Sequence, residues 1–159
     1  MKAIVIYYSL TGNTKFIAEQ IAQKSGAEIL ALKPEKDFKA GHNLVTILWG
    51  GRQSMTKVKP KLLPLTKNPA DYDLIFLGTP VWAFTFAPAV RSFLAENKIK
   101  DKKIALFLCH GGTPGKAAAN LEKELAGNEI IGEILFNEPL KTPEESRRKT
   151  GEWLHKIIN

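Results

Sequence analysis

The sequence has few residues that could cross-link the chain, bind a metal ion or anchor it in a membrane. It has a single cysteine, Cys109, which cannot form a disulfide within the chain. Its three histidines are scattered, so we predict no metal site. The longest N-terminal apolar run, residues 3–8, is too short to cross a membrane, and no signal-peptide cleavage site follows it. These absences exclude disulfide and zinc scaffolds, and they predict a cytoplasmic protein with no membrane or disulfide-linked partner.

The composition is that of one globular domain. Of the 159 residues, 44% are hydrophobic and 25% are charged, and no long polar or Pro/Ser-rich tract interrupts them. A domain near this length buries about 70% of the surface that its unfolded chain exposes, which is enough for a full core. We therefore predict a single domain over residues 1–159.

The positive charge is concentrated in one part of the chain. The formal net charge is +7. Residues 33–67 contain eight basic and two acidic residues, whereas the rest of the chain contains fifteen and fourteen. Such a segment can attract nucleic acid, a membrane surface or an acidic protein face. A solvated lysine-rich surface is the simpler interpretation, and we favour it because lysines are usually exposed. We expect no nucleic-acid partner.

Short apolar runs alternate with longer amphipathic stretches along the chain. The runs predict five strands, over residues 3–8, 28–32, 74–78, 103–109 and 130–136, and the stretches predict four helices, over residues 13–24, 89–96, 116–126 and 143–158. Interleaved strands and helices indicate an α/β fold with a parallel sheet covered on both faces. The loops after the first, third and fourth strands should meet at one sheet edge, where such folds bind ligands.

Residues 33–71 do not follow this alternation. Leu44, Val45, Leu48, Trp49 and Arg52 could form one helical face, which Gly50 and Gly51 interrupt, and residues 57–61 are basic and extended. The sequence does not allow a strand to be placed in this segment. The segment carries the excess positive charge and is interpreted as an elaboration of the domain.

The loop between the first strand and the first helix has the chemistry of a phosphate site. Its sequence, Ser9-Leu10-Thr11-Gly12-Asn13-Thr14, supplies three hydroxyls, an amide and a flexible glycine. Backbone N–H groups at a helix N-terminus bind anions, and hydroxyls add donors without adding charge. Because triphosphate and dinucleotide motifs are absent, a phosphate monoester fits best. The alternative, that Thr11 or Asn13 only caps the helix, explains fewer of these six residues.

The loop after the third strand is aromatic and uncharged. Exposed aromatic side chains such as Trp82 and Phe84 are unfavourable in water unless something covers them, and a flat ring could stack on Trp82. We expect Trp82 to contact a ligand and Phe86 to pack inward. The sequence leaves the role of Phe84 open.

The loop after the fourth strand begins Cys109-His110-Gly111-Gly112, and its glycines permit close backbone approach to a ligand. A phosphatase would need arginine where Gly115 stands, and only His110 is near in sequence to activate the thiol. We therefore expect Cys109 to be inert. A response-regulator receiver is also excluded, because it needs acidic residues at strand ends where this chain has Ser9 and Thr79.

These loops resemble those of the flavodoxin family. The Ser-x-Thr-Gly-Asn-Thr loop is similar to that family's FMN-phosphate loop, and residues 78–84 are similar to its flavin-ring loop. The resemblance implies a three-layer sandwich with a five-stranded parallel sheet and noncovalently bound FMN. It implies cofactor contacts from Ser9, Leu10, Thr11, Gly12, Asn13, Thr14, Thr79, Pro80, Val81, Trp82, Ala83, Phe84, Cys109, His110, Gly111 and Gly112. It assigns no catalytic residue, and the family's usual tyrosine is missing from the third loop.

The resemblance also implies an electron-transfer protein that shuttles electrons between redox proteins, one of which could dock an acidic face on the basic segment. We expect an electron carrier rather than an enzyme. The alternative is an NAD(P)H-dependent quinone or flavin reductase that contains FMN, and a flavin-free interaction module is a third class. Familiar flavodoxins are acidic, but these three loops contain no Asp or Glu. We therefore expect a less negative potential for the second one-electron reduction than in acidic members.

Overall fold

The computed structural model describes residues 1–37 and 58–158. Its strands are β1 (Ala3–Tyr7), β2 (Glu28–Ala31), β3 (Leu74–Trp82), β4 (Thr85–Phe86), β5 (Lys103–His110) and β6 (Glu129–Asn137). Its helices are α1 (Asn13–Ser25), α2 (Pro88–Glu96), α3 (Ala117–Glu124) and α4 (Pro143–Ile158), with a 3₁₀ turn at Pro69–Asp71. The predicted elements agree with these bounds to within about two residues, apart from β3, which continues past its predicted end.

The sheet has the order β2-β1-β3-β5-β6, and all of these neighbours are parallel. The chain therefore moves first to one side of β1 and then to the other, which creates a topological switch point between β1 and β3. Ligands bind at the carboxyl ends of the strands beside such a point. The predicted parallel sheet of five strands is confirmed, and β4 adds a sixth, very short strand that pairs antiparallel with the end of β3.

Helices cover both faces of the sheet. Successive side chains of a strand point to opposite faces, so Ile4 and Ile6 pack with the α2 and α3 side, and Val5 packs with the α1 and α4 side. The central strands are buried on both faces, as their continuous apolar sequences predict. The three-layer α/β sandwich is confirmed.

The segment 79–84, predicted as a loop, is largely strand and hairpin. β3 continues through Pro80, which lies opposite Cys109 of β5, and then Val81 and Trp82 pair with β4. Thr79-Pro80 is a typical strand end, and for that reason the prediction stopped there. The two-residue turn that closes the hairpin carries no glycine or asparagine, so the usual sequence signal of a tight hairpin was missing.

The described ends of segment 33–71 are attached to the domain. Pro34 and Leu62 form an antiparallel bridge, and the Leu63 N–H donates to the Lys33 carbonyl at 2.8 Å. Leu62 is buried in the core, and Ser92 Oγ of α2 donates to the Pro60 carbonyl at 2.6 Å. The helical face predicted between residues 44 and 52 lies outside the described residues.

Part of the positive charge of this segment is paired. Lys61 forms an ion pair with Glu35 at 2.7 Å, and Lys67 pairs with Glu28.

Within residues 1–37 and 58–158, no helix combines the length and the apolar character that a membrane span requires. The same residues hold no cluster of three or more His, Cys, Asp or Glu side chains suited to a metal ion.

Candidate functional site

A cavity of about 430 Å³ opens at the carboxyl edge of the sheet. This volume is typical of small-molecule sites, which span roughly 300–1,000 Å³. The loops after β1, β3, β5 and β6 surround it. Its lining residues are Leu10, Thr11, Asn13, Pro80, Val81, Trp82, Ala83, Phe84, Cys109, His110, Gly111, Gly112, Thr113 and Glu138. The structure thus brings the three predicted loops together at one cavity.

Four of the predicted contact residues do not line this cavity: Ser9, Gly12, Thr14 and Thr79. Thr79 is fully buried, and its Oγ1 accepts the Ala87 N–H at 2.9 Å. It therefore holds the β3–β4 hairpin against the start of α2. Thr14 is also buried, and its hydroxyl hydrogen-bonds the Cys109 thiol. Ser9 and Gly12 lie in the turn that leads into α1.

The turn into α1 exposes the N-terminus of the helix. Gly12 occupies the N-cap position with φ of 95°, and its N–H donates to Ser9 Oγ at 3.2 Å. The first N–H to bond back within the helix is that of Phe16, to the Gly12 carbonyl at 2.9 Å. The N–H groups of residues 13–15 precede that bond, so they are donors at the positive end of the helix dipole. They can bind an anion such as a phosphate group.

The side chain of Asn13 braces this turn. Its Oδ1 accepts the Leu140 N–H at 3.1 Å, and its Nδ2 donates to Thr11 Oγ1 at 3.2 Å. Because Gly12 is the N-cap, neither Thr11 nor Asn13 serves as a side-chain cap of α1. Asn13 therefore ties the turn to the connection between β6 and α4. The backbone donors of the turn and the exposed Thr11 lie on the side that borders the cavity.

Trp82 forms an aromatic wall of the cavity. Its ring meets that of Tyr8 edge to face, with centroids 5.6 Å apart and planes at 88°. The Tyr8 hydroxyl donates to Asp37 Oδ1 at 2.7 Å, and burial together with this bond raises the pKa of Tyr8 well above its usual range. A neutral, fixed phenol therefore holds the indole in place. Phe86 is buried, as expected, whereas Phe84 is 62% exposed at the rim.

The turn that carries Phe84 is strained. Ala83 and Phe84 have φ of 46° and 63°, in the left-handed region that costs an L-residue roughly 1–2 kcal/mol. A Cβ on Gly115 would lie 2.7 Å from the Phe84 Cβ, so only glycine fits opposite this side chain. Strain of this kind is typical of ligand sites, where the surrounding structure holds a residue in an unfavourable conformation.

Two neighbours on β5 differ in their chemistry. Cys109 is buried, and its burial raises the pKa of the thiol to about 12. The thiol is therefore protonated at neutral pH and is a poor nucleophile. His110 Nδ1 is buried at the cavity and has no hydrogen-bond partner among the described residues. Buried polar atoms are nearly always hydrogen-bonded, so this nitrogen is a candidate contact for a ligand.

Glu138, which the sequence analysis missed, also lines the cavity. It follows β6 with φ of 42°, its N–H donates to the His110 carbonyl at 2.8 Å, and its carboxylate accepts from Lys141 Nζ at 2.9 Å. The three predicted loops contain no carboxylate, as their sequences show, but Glu138 adds one to the cavity from the connection after β6. The sequence did contain a signal for Glu138, because this acidic residue directly follows a predicted strand. The carboxyl ends of parallel strands meet at one sheet edge, where ligands bind.

A protein-family model described as "Flavodoxin" matches residues 2–157. A flavoprotein from Lactobacillus acidophilus NCFM, solved in complex with FMN, is 27% identical and superposes with a TM-score of 0.73. That match covers 89% of this chain and 97% of that one.

Two further structures are similar at lower identity. A flavodoxin from Megasphaera elsdenii is 23% identical, with a TM-score of 0.58 and coverage of 94% of this chain and 96% of that one. A flavodoxin, WrbA-like protein from Agrobacterium tumefaciens is 16% identical, with a TM-score of 0.58 and coverage of 95% and 93%. At these identities the likeness shows a shared fold.

Proposed function

Because the chain belongs to the flavodoxin family, we propose that its cavity binds FMN noncovalently and that the protein carries electrons between redox proteins. The observation that supports this most strongly is the combination in one cavity of an open helix N-terminus and an aromatic wall. The first suits a phosphate group, and the second suits a flat ring. The single, buried Cys109 is compatible with the thiol-reducing cytoplasm as its location.

Residues 9–14 would hold the phosphate of FMN. The donors here are backbone N–H groups of α1 and the hydroxyl of Thr11, and no cationic side chain of this turn lines the cavity. Helix N-termini bind phosphate without a cationic side chain, because the aligned peptide dipoles place partial positive charge there.

The isoalloxazine ring would lie against Trp82. An aromatic stack adds about 0.5–1.5 kcal/mol beyond the burial of apolar area. His110 Nδ1 can satisfy its hydrogen-bonding capacity with a polar ring atom, and the backbone of Gly111 and Gly112 can approach closely because no Cβ intervenes.

Bound FMN supplies the one-electron chemistry, and the protein controls its environment. Trp82 excludes water from one side of the cavity. The Glu138 carboxylate disfavours extra negative charge at the cavity, which makes reduction less favourable, and Lys141 partly offsets that effect through its ion pair. Cys109 takes no part, since its thiol stays protonated.

A redox partner would dock beside Trp82. A small cleft next to this side chain is bordered by Pro34, Lys36 and Pro60, so both described ends of segment 33–71 lie near the cavity. An acidic protein face on this side would meet Lys36 while approaching the aromatic wall, and the neighbouring Asp37 accepts the Tyr8 hydroxyl. Complementary charge mainly accelerates such an encounter.

The visible spectrum of the purified protein tests the cofactor. We expect flavin absorbance, release of FMN on denaturation, and tighter binding of FMN than of riboflavin when apoprotein is titrated. Apoprotein that binds neither flavin would contradict the proposal and would favour the flavin-free interaction module.

A second candidate function is NAD(P)H-dependent reduction of a quinone or a flavin. A cationic cavity next to the FMN cavity, lined by Arg91, Lys116 and Lys123, favours it because it offers a place for a charged small molecule. Steady oxidation of NADH or NADPH by the protein and a quinone alone would support the reductase. A carrier would require a separate reductase protein before any turnover is observed.

A further inference from the structure

A second cavity of about 660 Å³ lies on the other side of the Ala83–Phe84 turn. Both turn residues also line the FMN cavity, so the turn forms a wall common to the two. The second cavity is otherwise bounded by the hairpin, by Arg91 of α2 and by one side of α3. An occupant of this cavity would therefore lie next to the FMN cavity.

Arg91 is a buried cation with unmet hydrogen-bonding capacity. The residue is 7% exposed, and its guanidinium lies 4.2 Å from the ring centroid of Phe86. It forms an ion pair with Glu124, in which Nη1 and Oε1 are 3.8 Å apart, too far for a hydrogen bond. Its Nε has no partner within the described part of the chain. An aromatic face attracts a cation but accepts no conventional hydrogen bond, so among the described residues the buried Nε–H of this guanidinium has no acceptor.

The side of α3 that faces the cavity is also basic. Lys116, Asn120 and Lys123 line it, and their spacing of four and three residues places them on one helical face. Asn120 Nδ2 donates to Thr85 Oγ1 at 3.3 Å, which fixes α3 against the hairpin. With Arg91, the cavity has three cationic side chains and one carboxylate, Glu124, whose side chain is 49% exposed.

We propose that this second cavity binds the phosphate group of a small molecule, with Arg91 as its anchor. A guanidinium can bind a phosphate through two parallel N–H bonds, and the two lysines add positive charge at the open side. The volume leaves room for an organic group beyond the phosphate. This inference does not require the neighbouring cavity to hold FMN, because the cationic residues lie outside it.

The test is a titration of ¹⁵N-labelled, FMN-saturated protein with inorganic pyrophosphate at constant ionic strength. Signals from residues of the second cavity report binding there directly, and the excess FMN competes with pyrophosphate for the N-terminus of α1. We expect saturable shifts of the Arg91 Nε–H signal and of the Thr85 and Asn120 amides. Shifts that never saturate, or that sodium chloride reproduces, would overturn the proposal.

All variants but one replace exposed residues, because substitutions at such positions disturb folding least. Replacing both lysines, Lys116→Gln with Lys123→Gln, should weaken pyrophosphate binding about tenfold, and Glu124→Gln should strengthen it about twofold. The control is Lys98→Gln, an exposed lysine away from the cavity, which should leave binding unchanged. Arg91→Met should abolish binding, and its thermal stability must be measured beside it. Equal affinities for the double variant and the control would overturn the proposal, because pyrophosphate would then bind without the lysines of the second cavity.

Two further arms identify the source of the phosphate group. NADPH that displaces pyrophosphate from the same residues would indicate a dinucleotide as the ligand. Saturable binding of pyrophosphate without displacement by NADPH or NADH would indicate a smaller phosphorylated compound. Either result supports the site, whereas the absence of saturable pyrophosphate binding overturns it.

Discussion

The two cavities on either side of the Ala83–Phe84 turn differ in charge. The first, which we propose binds FMN and call the FMN cavity, is bordered by hydroxyls, glycine backbone and Trp82, and its acidic side chain is Glu138. The second cavity is bordered by Arg91 and two lysines. In the proposed complex, backbone dipoles would bind the phosphate of FMN, whereas the cationic side chains lie on the other side of the Ala83–Phe84 turn.

This separation suits an electron carrier. A cation beside the flavin would stabilise its reduced, negatively charged form and raise its potential, whereas a carboxylate has the opposite effect. The net charge of +7 is therefore a poor guide to the electrostatics of the FMN cavity.

The largest effect is expected from Trp82→Ala. Loss of the stacking surface should raise the Kd for FMN about thirtyfold, or about 2 kcal/mol, because both aromatic contact and apolar burial are lost. Fluorescence titration of apoprotein measures this. Pyrophosphate binding in the second cavity should stay unchanged.

A matched control is Trp153→Phe, since Trp153 is a buried tryptophan that packs on Phe76 at the α4 side of the sheet. It should alter stability but leave FMN affinity unchanged. An unaltered Kd in Trp82→Ala would mean that the ring does not lie against this side chain.

The next effect concerns the phosphate end of the FMN cavity. Gly12→Ala places a Cβ on a residue with φ of 95°, which strains the turn that presents the N–H donors of α1. We expect a fivefold to tenfold rise in the Kd for FMN, of about 1 kcal/mol, and little change for riboflavin, which has no phosphate.

Gly26→Ala provides the matched variant at the other end of the same helix. Gly26 has φ of 71°, and no atom lies within 4 Å of the added Cβ. Both variants should lower the free energy of unfolding by about 1 kcal/mol, as urea denaturation would show. A similar loss of FMN affinity in both would assign the effect to general destabilisation of α1.

A smaller change is expected from Glu138→Gln. Removing this negative charge should raise the potential of the second one-electron reduction by about 30 mV, equivalent to roughly 0.7 kcal/mol, because the reduced cofactor is no longer repelled. Spectroelectrochemical titration measures the shift. Glu129→Gln, at the opposite end of β6, should leave the potential as it is. The same potential in all three proteins would show that stacking and desolvation outweigh this charge.

The smallest effect is expected from the basic segment. Lys59→Glu with Lys61→Glu should slow electron transfer with an acidic partner about threefold at low salt, and less at physiological ionic strength, where the screening length is about 8 Å. Lys57, which belongs to the same predicted basic stretch, lies outside the described residues. Stopped-flow kinetics measures the rate.

The control for this pair is Lys98→Glu with Lys100→Glu, two exposed lysines between α2 and β5, at the opposite edge of the sheet. Neither pair should change FMN affinity. Rates that respond to neither salt nor charge reversal would favour a simple solvated surface for the basic segment.

Local sequence predicted the parts of this protein that depend on neighbours along the chain. The strand, hydroxyl-rich turn and helix over residues 3–25 follow one another directly, and the period of the apolar residues reports which faces they bury. The order of strands and helices then predicts a parallel sheet whose loops meet at one edge. For this reason the sequence alone predicted the fold and identified the three loops that border the FMN cavity.

Tertiary structure decided what depends on residues distant in sequence. Gly78 must be glycine because a Cβ would lie 2.1 Å from the ring of Phe107 on the adjacent strand. Glu138 reaches the FMN cavity because β6 ends beside β5, and Arg91 faces the lysines of α3 because both helices lie on one face of the sheet. A sequence pattern reports the nature and spacing of side chains, but packing decides which charged side chains share a cavity.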